Sequence, residues 1–406
     1  MSIRTRPVRD VSRFTSGGFH DHPRQRRRVR PRRVVAIAAC LMCIPVLVSY
    51  ASMLTARSDS SLSVRTVEWL RAHGARGLVD TIETFYYTLS APSKGGPTIK
   101  ALPHQAGVAS SGGSGAGASR AGAASRHPHH PAPVVRPAPI KPVIHPALPG
   151  EGRWHATFAA GGRQPPVYIT SYRPEPAYPR IVAGLAWIDQ ARTSIWLYPG
   201  IQEPAVAMPS RGPEEVPLDR RHRLVATFNS AFKLADSGGG FASGGRTYAP
   251  LKNGYATVLR YRNGRVNIVD WEYGPTAPRN VVYARQNLAL LINDGRLNPN
   301  LSNGPQWGAT LGNSVMVWRS GLGIDRHGNL IYAAADYLTV QSLAEILKHA
   351  GAVRAMQLDI NAYWPSFITY RYPGARDPAN LLPDMQRSPY RYLTPDDRDF
   401  FAVYLK

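Results

Sequence analysis

Cysteine is nearly missing from this 406-residue chain: the two present, Cys40 and Cys43, both lie inside an uncharged apolar run. Everything after residue 43 therefore has no disulfide and no thiol for catalysis or metal binding. Within an apolar run the pair serves as small hydrophobic filler. Acid is also scarce, with 26 Asp and Glu against 49 Lys and Arg for a net charge of +23. The excess is local: residues 1–33 carry +9, residues 34–92 balance at zero, residues 93–150 carry +6 with no acid, and residues 151–406 carry +8. Charge that sits mostly in tails, without a basic face interleaved with aromatics, argues against a nucleic-acid partner. No Gly-x-Ser-x-Gly elbow occurs, and no His pair has zinc-ligand spacing. Gly238-Gly239-Gly240 and Gly244-Gly245 lack the preceding strand and following helix of a nucleotide loop. They read as a mobile loop over a site. Neither metal nor cofactor is expected, and His127, His129 and His130 read as solvated residues in a Pro-rich stretch without fixed geometry.

What is present is organised in blocks. Val34–Leu54 is 21 residues without a charge, just enough helix to cross a hydrocarbon core of roughly 30 Å. Arg26, Arg27, Arg28, Arg30, Arg32 and Arg33 precede it directly, and basic flanks stay cytoplasmic. The expectation is a single-pass signal-anchor with membrane lipid as partner, residues 1–33 as a cytoplasmic tail and the C-terminal domain outside. A signal peptide cleaved near Ala51 is the rival, but the run exceeds the usual h-region of about 7–15 residues. Residues 55–92 read as a juxtamembrane helical segment. Its apolar positions Val67, Leu70, Leu78, Ile82 and Phe85 suggest short amphipathic helices broken near Gly74 and Gly77. This segment packs either on the membrane surface or on the distal domain. Residues 93–150 read as a disordered linker, Gly/Ala/Ser-rich to Ser125 and then Pro-rich from Pro128 to Pro149.

Residues 151–406 read as one strand-rich α+β domain with few helices. Tyr255–Trp271 alternates on both sides of Asn263-Gly264, a strong hairpin signal. Leu288–Leu297 runs into Asp294-Gly295, and Ser314–Ala333 gives two strands around Asp325–Asn329. Thr339 caps a helix with inward residues Val340, Leu343, Ile346 and Leu347 that ends at Gly351, followed by strand Ala355–Ile360. Thr394-Pro395 predicts a final helix.

Single residues are suggestive but ambiguous. Asp359 closes the strand Met356–Ile360, facing a cleft or capping a turn. Arg319, before Ser320-Gly321-Leu322-Gly323, offers a forked donor to phosphate beside a Gly turn or makes a structural ion pair. Asn229 stands at a strand end, and Asp294 belongs first to a hairpin turn.

In order along the chain, these pieces resemble the phosphodiester glycosidase family. That family's Asn-Gly-Gly-Phe-Phe motif is similar to Asn229-Ser230-Ala231-Phe232-Lys233, and its Arg-Thr-Ala-Ile-Gly motif to Arg319-Ser320-Gly321-Leu322-Gly323. Its closing Leu-Asp-Gly-Gly-Gly-Ser motif is similar to Leu358-Asp359-Ile360-Asn361-Ala362. The resemblance spans about Val225 to Tyr370. It implies an extracytoplasmic hydrolase of glycosidic phosphodiesters acting on cell-surface glycans. Asp359 and Asp294 would be catalytic; Arg319, Asn229, Lys233, Asn361 and Trp364 would bind phosphate or sugar, with Tyr363 also placed to stack. The glycines after the family's Asp are replaced by Ile360–Trp364, so a non-cleaving glycan- or wall-polymer-binding module is the alternative, and a structural partner of membrane proteins through Val64–Tyr87 a third.

Overall fold

The computed structural model describes residues 31–108, 136–158, 164–308 and 316–406. The basic tail before residue 31, the three linker histidines, and most of the Gly/Ala/Ser stretch lie outside the described residues. The chain divides into two compact units, Met1–Thr55 and Ala56–Lys406. In the first, Pro31–Thr55 forms one helix, α1, with Pro45 inside it. Many of its large apolar side chains, among them Leu41, Met42, Leu47 and Val48, are exposed, while Tyr50 and Met53 are partly buried. Among the described residues no helix is long and apolar enough to cross a membrane; positions 34, 37 and 39 of the run fall outside those whose side chains are described.

The second unit opens with α2 (Leu62–Leu70) and α3 (Arg76–Ser90). Ser61 caps α2 by accepting from the Val64 amide. The break between them falls at His73 and Gly74, where Gly74 takes φ +88°, a conformation that costs glycine nothing. Strands follow as β1 (His155–Ala156), β2 (Val167–Tyr172), β3 (Ala183–Ile188), β4 (Thr193–Tyr198) and β5 (Leu224–Asn229). After the one-turn α4 (Leu234–Ser237) come β6 (Phe241–Ser243), β7 (Arg246–Ala249), β8 (Ala256–Tyr261), β9 (Val266–Asp270), β10 (Val281–Gln286), β11 (Leu290–Asn293) and β12 (Arg296–Leu297). The chain ends with β13 (Val317–Asp325), β14 (Leu330–Leu338), α5 (Val340–His349), β15 (Ala352–Ile360), β16 (Phe367–Arg371), β17 (Arg376–Asn380) and β18 (Phe400–Leu405).

The strands build an eight-stranded sheet in the order β1-β2-β3-β14-β13-β15-β11-β12 and two five-stranded sheets, β7-β6-β10-β8-β9 and β17-β16-β5-β18-β4. Few helices against many hairpins is the α+β architecture expected from the sequence. Alternation divides each strand of the large sheet between two cores. Trp318, Leu322 and Ile324 of β13 and Met356 and Leu358 of β15 join the main core, which also takes Phe228 and Phe401 from the third sheet. The opposite face meets α5 through Leu343, Ile346 and Leu347.

Two expectations are corrected. The glycine cluster is not one long loop: Gly238 caps α4 with φ +65°, Gly239 and Gly240 lead directly into β6, and Gly244-Gly245 turn the β6–β7 hairpin. Two short connections flank the three-residue strand β6. Residues after Thr394 form no helix; β18 lies between β4 and β5. Phe400–Leu405 is buried at every position, and a run buried on both faces cannot show the alternation that separates strand from helix in sequence.

Candidate functional site

Arg319 and the glycines after it lie within the nine-residue strand β13, not in a turn. A Cβ on Gly321 would stand 2.9 Å from Leu347 Cδ1, and one on Gly323 would stand 2.7 Å from Ala352 Cβ. The glycines therefore seat α5 against the sheet. Arg319, two residues from Gly321, is buried; its Nε donates to the Leu338 carbonyl at 2.8 Å, and its Nη1 has no partner among the described residues. Burial alone pushes its pKa down to about 10. Arg319 does not reach the cavity described next.

That cavity, of about 210 Å³, is lined by Asp359, Ile360, Asn361 and Trp364 from the end of β15 and its following turn. Lys233 and Asp236 enter from the start of α4, Arg398 from the residues before β18, and Glu68, Arg71 and Arg76 from α2, the residue after it and the start of α3. Of the residues singled out in the sequence, Asp359, Asn361, Lys233 and Trp364 thus share one cavity. Asn229, Arg319 and Asp294 do not line it. Asp294 takes φ +47° in the β11–β12 turn and opens onto a separate cavity of about 680 Å³ with Asp270 and Arg296.

A register shift between β13 and β15, where Arg319 faces Ile360 but Gly321 faces Gln357, places Asp359 at an irregular point of the ladder. Such bulges re-aim side chains. The Asp359 amide donates to the Ser230 carbonyl at 3.0 Å, and Ser320 Oγ donates to the Asp359 carbonyl at 2.6 Å. Asn229 stands behind this pair: its Nδ2 donates to Ser320 Oγ at 3.0 Å, and its Oδ1 accepts from Tyr332 Oη at 2.9 Å and from the Ser366 amide at 3.0 Å. With both ends of its amide committed, Asn229 holds the Asp359 backbone instead of meeting solvent.

Arg398 supplies the guanidinium that the sequence reading sought at Arg319. Its Nη1 lies 3.7 Å from Asp359 Oδ2, its Nη2 lies 3.5 Å from Glu68 Oε1, and its guanidinium stacks 4.1 Å from the Trp364 ring centroid. That face of Trp364 is therefore closed to a sugar. Lys233 Nζ lies 2.8 Å from the same Glu68 oxygen. Burial raises the Asp359 pKa to about 6, and Arg398 only partly offsets it. Burial opposes charge on Arg398 as well, but Asp359, Glu68 and Glu203 outweigh it and push that pKa upward.

Arg398 is positioned by its neighbours. Asp396 accepts from Arg391 Nε at 2.6 Å and pairs with Arg387 at 3.2 Å, while Asp399 accepts from Arg285 Nε at 2.8 Å. Asp397 accepts from Ser58 Oγ at 2.6 Å and Ser60 Oγ at 2.5 Å, and its amide donates to Asp59 Oδ1 at 2.8 Å. Each acid of Asp396-Asp397-Arg398-Asp399 is tied to a different part of the unit, leaving the Arg to face the cavity. Four consecutive charges directly before an apolar run were the available sequence signal, and the helix reading at Thr394-Pro395 passed over them. Among the described residues, no group of three or more His, Cys, Asp or Glu gathers as a metal set would.

Residues 222–359 match the family model of the phosphodiester glycosidases. Among solved structures, the zebrafish N-acetylglucosamine-1-phosphodiester alpha-N-acetylglucosaminidase catalytic domain, auto-inhibited by its pro-peptide, is similar over 61% of this chain and 85% of that one, with 15% identity and a TM-score of 0.40. A hypothetical protein from Synechocystis is similar over 56% of this chain and 59% of that one, with 14% identity and a TM-score of 0.33. No curated protein matches the chain in sequence. Asp359 is the last residue of the matched range, and Trp364 and Arg398 lie beyond it. Residues 222–359 thus carry a phosphodiester glycosidase family match within the second unit.

Proposed function

We propose that the chain is a membrane-anchored, extracytoplasmic hydrolase of glycosidic phosphodiesters, cleaving a sugar 1-phosphate that is esterified to a second hydroxyl in a cell-surface glycan. One observation carries the reading: in a domain of this family, the cations Lys233 and Arg398, with Arg71 and Arg76 also at the wall, share a cavity with the buried carboxylate of Asp359. A phosphodiester bears one negative charge, and cleavage of the C1–O bond adds a second to the departing phosphate. Lys233 and Arg398 offset that charge in a partly dry site, where such contacts count most. Phosphate leaves readily without being protonated, so one acid/base side chain suffices. Asp359, with a pKa of about 6, is a carboxylate near neutral pH and a stronger base than an exposed Asp. It takes the proton of the water that attacks C1. Asn361 and the wall formed by Ile360 border the sugar.

Val34–Leu54, uncharged and flanked by arginines, would hold the domain at the outer face of the membrane with the N-terminus in the cytoplasm. A panel of sugar-1-phosphodiesters incubated with the full chain should release free sugar, and release from none of them rejects the enzyme.

A second reading, retention of wall polymer without cleavage, is favoured by Glu68, which pairs with both cations and lines the cavity of about 210 Å³. Asp359→Asn separates the two readings: it abolishes turnover in a hydrolase and leaves polymer retention intact in a binder.

A further inference from the structure

Helix α3 has two unlike faces. Val79 and Tyr87 are buried, and Glu83 and Asp80 turn the same way, toward Arg71. On the outer side, Leu78, Ile82, Phe85, Tyr86 and Leu89 are each 60–71% exposed. At 3.6 residues per turn these five fall within an arc of about 100°, a continuous apolar stripe with no charge on it. Soluble surfaces seldom leave a stripe of this kind uncovered.

The chain itself says what lies nearby. Six residues, Ala56–Ser61, connect the end of α1 to the start of α2, a tether of at most about 25 Å. Most of that tether is fixed: Arg57 pairs with Glu214 at 2.8 Å, and Ser58, Asp59 and Ser60 bind Asp397. The chain that joins α1 to α2 is therefore short, and most of it is held on the second unit. Leu62, at the head of α2, is also 57% exposed.

We infer that the outer face of α3 rests in the interfacial layer of a phospholipid bilayer, with Leu78, Ile82, Phe85 and Leu89 among the upper acyl chains and the Tyr86 hydroxyl at headgroup level. A helix with one apolar face and a neutralised polar face lies in the plane of a membrane in this way, and Tyr suits the boundary between apolar and wet. The inference goes beyond the proposed hydrolysis and depends on the anchored reading only for proximity. Its consequence is geometric. Residues of the α2–α3 break line the candidate site, so seating α3 in lipid fixes the height at which that cavity meets a glycan.

The test uses the full chain, with Cys40 and Cys43 changed to Ala, reconstituted into phosphatidylcholine/phosphatidylglycerol vesicles. Ile82→Cys carries an environment-sensitive dye, and Glu272→Cys, an exposed site on another part of the unit, carries the same dye as reference. The Ile82 label should emit at shorter wavelength, be quenched by lipid-borne nitroxide, and show several-fold less quenching by aqueous iodide than the Glu272 label. Equal iodide quenching at both sites in chains that float with the vesicles overturns the inference while leaving the anchor standing. Shielding that grows with the number of chains per vesicle marks a second copy as the occupant and also overturns it. Chains that remain in the soluble fraction overturn both.

Discussion

At the scale of single residues, Asp359 is held against its own charge. Burial lifts its pKa to about 6 even though Arg398 lies 3.7 Å away. The folded form thus binds the proton more tightly than the unfolded chain, and its ionisation lowers stability as pH rises from about 4 through 6. Asp359→Asn should accordingly remove at least about 100-fold of kcat/KM, the size of a lost acid/base group. The same variant should gain on the order of 2 kcal/mol of stability at pH 7.5 and nothing at pH 4. Denaturant titrations at the two pH values check this, and a variant less stable at both would show that the carboxylate is structural. Arg398 and Arg319 make a second contrast. Arg398→Lys shortens the reach to phosphate and should raise KM about tenfold or more, whereas Arg319→Lys should lower the melting temperature and leave KM unchanged. Steady-state kinetics beside thermal melts of both variants decide which guanidinium meets substrate.

The sequence placed Asp359, Lys233, Asn361 and Trp364 near one another because motif order carries contact information along consecutive strands. It looked to Arg319, which does not line that cavity, because Arg319 and Gly321 look the same whether glycine serves a turn or the seat of a helix; the difference lies in Leu347 of α5, invisible in the motif itself. Replacement of the family's glycines by Ile360-Asn361 suggested a lost backbone approach. Yet Asn361 takes φ +80°, and Asn is among the residues that tolerate this left-handed region. The chain thus turns after Ile360 without a glycine.

At the scale of elements, the seat of α5 is tightly specified. Gly321→Val would drive methyl groups into Leu347 and toward the Met356 carbonyl, which lies 3.1 Å from the first carbon added. An overpacked core of this kind costs about 1–3 kcal/mol, measurable by urea unfolding, and a smaller loss would mean that α5 slides freely on the sheet. Helix α2 presents the opposite case, a removable wall. Glu68 competes with any anion for Lys233 and Arg398. Glu68→Gln should therefore tighten inorganic phosphate binding by about tenfold, roughly 1.4 kcal/mol, as read by calorimetry; unchanged affinity would place the anion elsewhere. The sequence recognised the α2–α3 pair from its apolar spacing and its glycines. It could not choose between domain and membrane as the packing partner, since the choice rests on Glu68, Ser58 and Ser60 finding partners more than 300 residues away.

At the scale of the molecule, buried acids pull in two directions. Asp336, like Asp359, is raised to about 6, chiefly by burial, and Asp59 is raised too. Asp396 is held below its usual value because Arg391 and Arg387 overcome burial, and Glu151 is lowered by Arg173. The raised group weakens the fold as pH climbs toward 6 and beyond; the lowered group weakens it as pH falls below about 4. Maximum thermal stability is therefore expected near about pH 4 to 5, acidic of neutral, and a scan peaking at pH 7 or above would show the lowered group dominating.

The tie between Asp397 and Ser58, Asp59 and Ser60 has a mechanical side. Tension arriving along the chain at Ala56 would load this cluster of short polar contacts before any strand of the third sheet is strained. Asp397 is one peptide from Arg398. A pull on the chain at Ala56 would thus be felt first at Arg398, coupling strain at that point to the charge that faces the cavity.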